Sequence, residues 1–302
     1  MEQRKALDVQ ASFIMFALCM LWGLQQVILK LASPDISALM QIALRSILSA
    51  LMVYPLIQSS LRRELWGKKY FGSGVLVGCL FATEFYLVGE ALRYTSAAHT
   101  IVLLYTAPIF VALGLNWKLP SERLSKLQWI GILLAFLGIV VSFLLRPDSS
   151  AQATNSLWGD SLALLAGIFW AATTITVRLT ILAEAPATQT LFYQLFIAGV
   201  VLLPMSFITD QAHVEWTTLS IGSLLFHTVI ISFASYLIWF WLLKKYLASR
   251  LGVFSFLTPL FGMLFGIWLL NEKVEINFLI GTAMVMAGVV LVSMQGWLKK
   301  TT

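Results

Sequence analysis

Residues 91–141, ALRYTSAAHTIVLLYTAPIFVALGLNWKLPSERLSKLQWIGILLAFLGIVV, and residues 247–293, LASRLGVFSFLTPLFGMLFGIWLLNEKVEINFLIGTAMVMAGVVLVS, carry one pattern twice. Each has an apolar run broken by a proline, Pro108 or Pro259, then a short polar break holding Glu122 or Glu272. A second apolar run follows, with Gly138 or Gly288 in register. These pairs lie 151, 150 and 150 residues apart. Working outward, Trp22 and Lys30 fall on Trp170 and Arg178 at an offset of 148, Pro55 on Pro204 at 149 and Tyr86 on Tyr236 at 150. An ordered set with so small a drift marks an internal duplication.

The runs themselves are membrane-like. Of 302 residues, 59% are hydrophobic and 11% charged, and the mean hydropathy is +0.87. A water-soluble domain has no use for so much apolar surface. A spanning helix needs about 20 mainly apolar residues, and ten such stretches are expected: 11–31, 36–57, 70–92, 96–118 and 127–145, then 156–178, 187–208, 217–241, 249–271 and 276–295. The expected organisation is therefore a first five-helix repeat over 1–145, a linker at 146–155, a second repeat over 156–295 and a tail at 296–302. Five is odd, so the second repeat enters the membrane in the opposite sense to the first. The fold class is all-α, ten transmembrane helices as two inverted repeats, and such halves can exchange shapes around a central cavity.

The charge of +6 reads as topology rather than as a nucleic-acid footprint. With ten spans both termini lie on one face. That face collects fifteen of the twenty Lys and Arg residues, Arg62, Arg63, Lys68, Lys69, Lys244 and Lys245 among them. Basic residues stay inside, so both termini are expected to be cytoplasmic. Lys30, Arg93, Arg146 and Lys273 go to the opposite face, and Arg45 sits within a helix. Arg4 and Lys5 ahead of an apolar run imitate a signal peptide, but about 20 apolar residues holding Trp22 and Gln25 read as an uncleaved first helix. Cys19 and Cys79 both fall inside apolar segments and suggest neither a disulfide framework nor a metal cluster.

LWGLQQVILK at 21–30, with Arg45 downstream, resembles the opening of the EamA-type drug/metabolite transporter family. The two stretches quoted first resemble it as well, and the likeness covers essentially the whole chain. Leu24 and Gln25 depart from the small or amide pair usual after Trp-Gly. The resemblance implies a ten-helix bundle in a bacterial inner membrane that moves small metabolites, often outward. It also implies a central cavity lined by helices 1, 3, 4, 6, 8 and 9.

Ionisable residues within the spans are costly and need a reason. Arg45 and Glu84 each lie roughly 12–14 Å deep at 1.5 Å per residue, within reach of pairing. Glu84 reads either as a proton-coupling carboxylate or contact for a substrate amine, with Arg45 tuning it or meeting a carboxylate, or as half of a structural ion pair. Glu90 and Arg93, three residues apart, suit a helical salt bridge. His99 is either a gating group or a satisfied polar residue, and the deeper His227 is read the same way.

Trp22 and Trp170 fall near the midplane rather than in the interfacial belts. Gln25 and Gln26 match Thr173 and Thr174 one turn on, so hydrogen-bonding groups flank each indole on a face that lipid would not solvate. Tyr105 and Tyr236 join this expected substrate-binding set, with aromatic packing between helices as the alternative. Pro108 and Pro259 are expected to kink their helices, as hinges or as packing features. Gly131, Gly138, Gly281 and Gly288, seven residues apart in each pair, suit close helix packing.

No P-loop, paired-histidine zinc motif or serine nucleophile elbow is present, so no cofactor is expected. The reading that results is a secondary active exporter of amino-acid-like or other amphipathic solutes, with proton coupling open through Glu84. Its rival is an intramembrane enzyme acting on a lipid or prenyl substrate. The expected partners are a small-molecule substrate and the bilayer of the cell inner membrane.

Overall fold

The structure, a computed structural model, describes residues 8–118, 124–144, 151–246, 255 and 257–298. Arg4, Lys5, Glu122, Arg123, Arg146, Arg250, Lys299 and Lys300, with residues 146–150 of the expected linker and 299–302 of the tail, lie outside it. So does most of the start of the span expected from 249.

Apolar runs become helices wherever a cap starts them and a turn signal stops them. Helix α1 (Val9–Leu31) begins on Asp8, whose side chain accepts from Ala11 N–H at 2.8 Å. Helix α2 (Ala38–Val53) begins on Ser37, which accepts from Met40 N–H. A 3-10 turn at Tyr54–Leu56, around Pro55, ends α2 two residues before the short helix α3 (Ser59–Glu64). Neither feature was expected within the stretch 36–69. Helix α4 (Lys68–Tyr94) runs two residues beyond the expected span at each end.

The span expected at 96–118 is two helices, α5 (Ala97–Leu104) and α6 (Ala107–Lys118). Pro108 has no N–H for the carbonyl four residues back, Leu104, so the ladder breaks there. Beside the break, Leu103 C=O accepts from both the N–H and the hydroxyl of Thr106, at 3.2 and 2.6 Å. Helix α7 (Lys126–Leu144) ends the first half. Helix α8 (Ala151–Leu179) starts five residues earlier than expected, inside the stretch read as linker. Helix α9 (Ala187–Ile208) coincides with its expected span and carries Pro204 internally.

The next span opens with a capping box, in which Thr217 and Ser220 satisfy each other's backbone N–H. It is α10 (Thr218–Leu225), a π-helical segment over Phe226–Ser235, and α11 (Tyr236–Lys245). Helices α12 (Leu257–Leu270) and α13 (Ile276–Leu298) complete the described chain. Pro259 is the third residue of α12, and Ser255, the residue four back, is helical as well. Among the described residues, seven helical stretches are long and apolar enough to cross a membrane, and three shorter apolar helices, Lys126–Val141, Leu257–Leu270 and Ile276–Leu291, accompany them.

Pairing between helices follows the repeat. Helix α1 packs on α12, and α8 packs on α5 and α6. Helix α2 meets α9, α4 lies against α8 and α9, and α7 pairs with α13. The α7–α13 contact depends on glycine: a Cβ on Gly138 would stand 2.6 Å from Gly281 C=O, and one on Gly288 would collide with Gly131 C=O. Since lipid tails are as apolar as leucine, such close backbone approach, more than hydrophobic burial, holds helices together here. Ile109, Ile132, Ala135, Ile139, Val285 and Val289 form a separate small core around this pair.

Candidate functional site

The middle of the bundle is polar. Arg45 from α2 and Glu84 from α4 are buried, 2% and 4% exposed, yet among the described residues no ion pair joins them. The structural ion pair, one of the two readings left open, is not formed at contact distance, although each charge lies within electrostatic reach of the other. Arg45 instead lays its guanidinium over the Phe85 ring, 4.6 Å from the centroid, a cation–π contact worth about 2 kcal/mol when desolvated. Its Nε and Nη1, and Oε2 of Glu84, have no hydrogen-bond partner. Tyr236 lies within electrostatic reach of both charges, and Tyr105 within reach of Glu84.

Around them stand more unsatisfied groups: the amide oxygens of Gln25 and Gln26 on α1, and the hydroxyls of Thr228 and Ser232 on the π segment. Buried polar atoms in native proteins are nearly always bonded. A π turn widens the helix and occurs at functional sites. This one is tied down where Thr228 C=O accepts from the Ser49 hydroxyl at 3.0 Å. His227, at its start, sets Nδ1 2.7 Å from Ser223 C=O and Nε2 3.0 Å from Gln25 C=O, linking the segment to α1. Both nitrogens face acceptors, and a neutral ring donates to only one.

The aromatic residues divide. Tyr105 and Trp170 meet edge to face at 5.1 Å. Trp22 makes no ring contact with Trp170 among the described residues. Its Nε1 donates to the Ser235 hydroxyl at 3.0 Å and its ring meets Trp239 at 5.5 Å. Thr173 is buried and Thr174 exposed, each bonded to the carbonyl four residues back, Phe169 and Trp170. Pro108 follows Tyr105 at the α5–α6 break, and Pro259 follows Thr258, whose hydroxyl faces Tyr105.

One end of the bundle is sealed by polar contacts between the halves. Glu272, after α12, accepts from the first two N–H groups of α5, Ala97 at 2.7 Å and Ala98 at 3.0 Å. Lys30 of α1 lies 3.8 Å from the same carboxylate and donates to Thr95 C=O. His99 is buried with its Nδ1 3.1 Å from both oxygens of Asp160 on α8, and its ring stacks on Phe278 at 3.6 Å. Thr95 also donates to Asp160. The Glu90–Arg93 bridge forms at 2.9 Å, and Glu90 takes a second bond from Gln211 beyond α9.

Asp160 and the bonding of Glu272 were not anticipated from sequence. Asp160 is an acid inside an apolar span, which was a usable signal. Glu272 is repeat-matched to Glu122, but its partner helix is some 175 residues away.

A polytopic helical bundle with a buried, under-satisfied polar centre and one sealed end is the build of a membrane transporter. The sequence profile of the EamA-like transporter family matches twice, over residues 10–144 and 157–294, and the chain belongs to that family. An uncharacterized transporter of Bacillus subtilis is 24% identical over 275 residues, covering 89% of this chain and 92% of that protein. An uncharacterized transporter of Archaeoglobus fulgidus is 28% identical over 220 residues, 72% of each chain. A protein of Salmonella typhimurium named "Probable amino-acid metabolite efflux pump" is 26% identical over 285 residues, 91% of this chain and 92% of that one. A crystal structure at 17% identity superposes with a TM-score of 0.64 over 97% of this chain and 100% of its own, a likeness of fold. The protein is thus a multi-pass membrane transporter and not an enzyme, which sets aside the lipid- or prenyl-acting reading.

Proposed function

We propose that the chain is a secondary active exporter of amino-acid-like solutes, working by alternating access between two inverted five-helix repeats with both termini cytoplasmic in the cell inner membrane. The observation that carries the site is the buried but unpaired Arg45 and Glu84. A charge in the hydrocarbon region costs several kcal/mol unless it is compensated, and two opposite charges held apart with vacant atoms suit a solute that carries both signs. A zwitterion gives its carboxylate to Arg45 and its ammonium to Glu84. Tyr105, Trp170 and Tyr236 flank its carbon skeleton, and Gln25, Gln26 and Thr258 supply hydrogen bonds. Trp22 supports the wall from behind, through Ser235. Glu84 exchanges its proton when the solute leaves, which couples export to a pH gradient.

The repeat reading is supported by the double family match and by the equivalent pairings α1–α12 and α8–α5/α6. The ten-span reading is supported by the seven long helices together with the three shorter apolar ones. The sealed end is the outer one in this topology, so the molecule stands with its outer gate closed.

Uptake of a labelled amino-acid and amine panel into proteoliposomes, with and without an imposed pH gradient, tests this. Saturable uptake is expected in the wild type, lost in Arg45→Gln and reduced in Trp22→Ala. In Glu84→Gln the pH-driven part alone is expected to vanish. Wild-type rates in both Arg45→Gln and Glu84→Gln would overturn the site.

A further inference from the structure

Opposite the sealed end, on the outside of the bundle, a groove of about 390 Å³ runs between α2 and α9. Its deep end is Ile47 and Val200, its shallow end Tyr54, Trp66 and Phe192, with Phe196 between. Seven or eight helical residues at 1.5 Å each make it about 10–12 Å long, and its lining is almost wholly carbon. Aromatic edges organise it: Phe192 stacks on Phe196 at 5.3 Å, Trp66 meets Phe196 at 5.8 Å and Tyr54 meets Phe192 at 5.6 Å. Tyr54 and Trp66 are 40% and 58% exposed, the place such amphipathic rings take at a membrane interface.

The shallow end is rimmed by cations. Arg62 holds its guanidinium 5.3 Å over the Tyr54 ring. Its Nε donates to Ile57 C=O at 2.8 Å and its Nη2 to Pro55 C=O at 2.6 Å. Those bonds fix the fork beside the groove mouth and leave its remaining N–H donors available. Arg63, Lys68 and Lys69 are exposed in the same turn of chain, and Glu64 is the one acid among residues 62–69.

We propose that this groove binds a phospholipid with an anionic headgroup, one acyl chain lying along Phe192, Phe196 and Val200 and the phosphate held by Arg62 with Arg63 and Lys68. A long apolar slot closed at one end by a fixed guanidinium matches that shape and charge. Arg is suited to phosphate because its planar fork donates in pairs. A second copy of this chain is the poorer occupant: a two-fold contact places the same patch against itself, bringing two basic rims together. The site is distinct from the central cavity and does not depend on the transport reading.

Native mass spectrometry and thermal melting of the purified protein, with phosphatidylglycerol and phosphatidylcholine of identical chains, test it. The wild type should retain phosphatidylglycerol in preference and melt several degrees higher with it. The preference should fall about fivefold for each cation removed in Arg62→Gln and Arg63→Gln. Val200→Trp, which fills the groove from a lipid-facing position, should lose retained phosphatidylglycerol while eluting as a single folded species. Equal retention of the two lipids by the wild type, an unchanged preference in the Arg62→Gln/Arg63→Gln double variant, or a dimer that Val200→Trp dissolves with no lipid bound would each overturn the proposal.

Discussion

Replacing Glu272 by Gln should unlatch the sealed end. The carboxylate accepts two N–H bonds, at 2.7 and 3.0 Å, from the first turn of α5 and faces the positive end of that helix. Gln offers one carbonyl oxygen, and its amide turns a donor toward the other N–H. One charge-assisted bond is lost, about 1.5–3 kcal/mol, together with a dipole contribution of about 0.3–1 kcal/mol. The Lys30 contact is long, at 3.8 Å, with the lysine nearly a third exposed, and adds about 0–1 kcal/mol after solvent screening. Together these come to about 2–5 kcal/mol, so the open population at this end should rise at least about 30-fold. The probe is Ser232→Cys, buried in the π segment, in a background with Cys19 and Cys79 replaced. It is labelled by a membrane-impermeant maleimide from the Lys30 side, at a rate that follows the open population. Glu215→Gln, an exposed acid at the same end, is the control and should change labelling less than about twofold. Labelling within twofold of wild type in correctly folded Glu272→Gln would mean that the cap stabilises α5 without gating the cavity.

Three further outcomes follow from contacts already described. Gly138→Val forces a side chain into the Gly281 backbone and should cost about 1–3 kcal/mol as overpacking, read as a lower melting midpoint; an unchanged melt would refute the close packing of α7 on α13. Removing one partner of the buried His99–Asp160 contact, as in His99→Phe, should destabilise by about 3–5 kcal/mol, and adding Asp160→Asn should restore a large part. A double variant no better than the single would sink that account. Pro108→Ala gives Leu104 C=O a donor and lets α5 and α6 join, so uptake should slow about tenfold while the melting temperature holds or rises. Full-speed uptake would mean the break is a packing feature alone.

Much of this fold could be read before any coordinates. Ala187–Ile208 coincides with its expected span because its apolar run is sharply bounded, by Pro186 on one side and Thr209 and Asp210 on the other. The break at Pro108 follows from a missing N–H, a local fact. The π segment does not: FHTVIISFAS reads as ordinary apolar helix, and the tie from Ser49 to Thr228 C=O lies 179 residues away in sequence. Residues 151–155 were read as linker because they are polar, although Ala and Gln are good helix formers. At the site, sequence depth identified Arg45 and Glu84 as buried charges, but whether they touch depends on how α2 and α4 rotate about their axes. Lys30 and Glu272 each read as the end of a span, and only packing shows that they meet over the start of α5.

The α7–α13 contact bears on how the chain is made. Helix α7 ends at Leu144 and its glycine-matched partner begins at Ile276, so roughly 130 residues must be synthesised between them, about 7–26 s at 5–20 residues per second. For that interval α7 lies in the bilayer with its small-residue stripe facing lipid, open to any other helix of the right shape. Helix α13 is therefore the one that protects the first half from mispairing, and a chain that stopped before residue 276 would leave α7 free to pair with a second copy of itself.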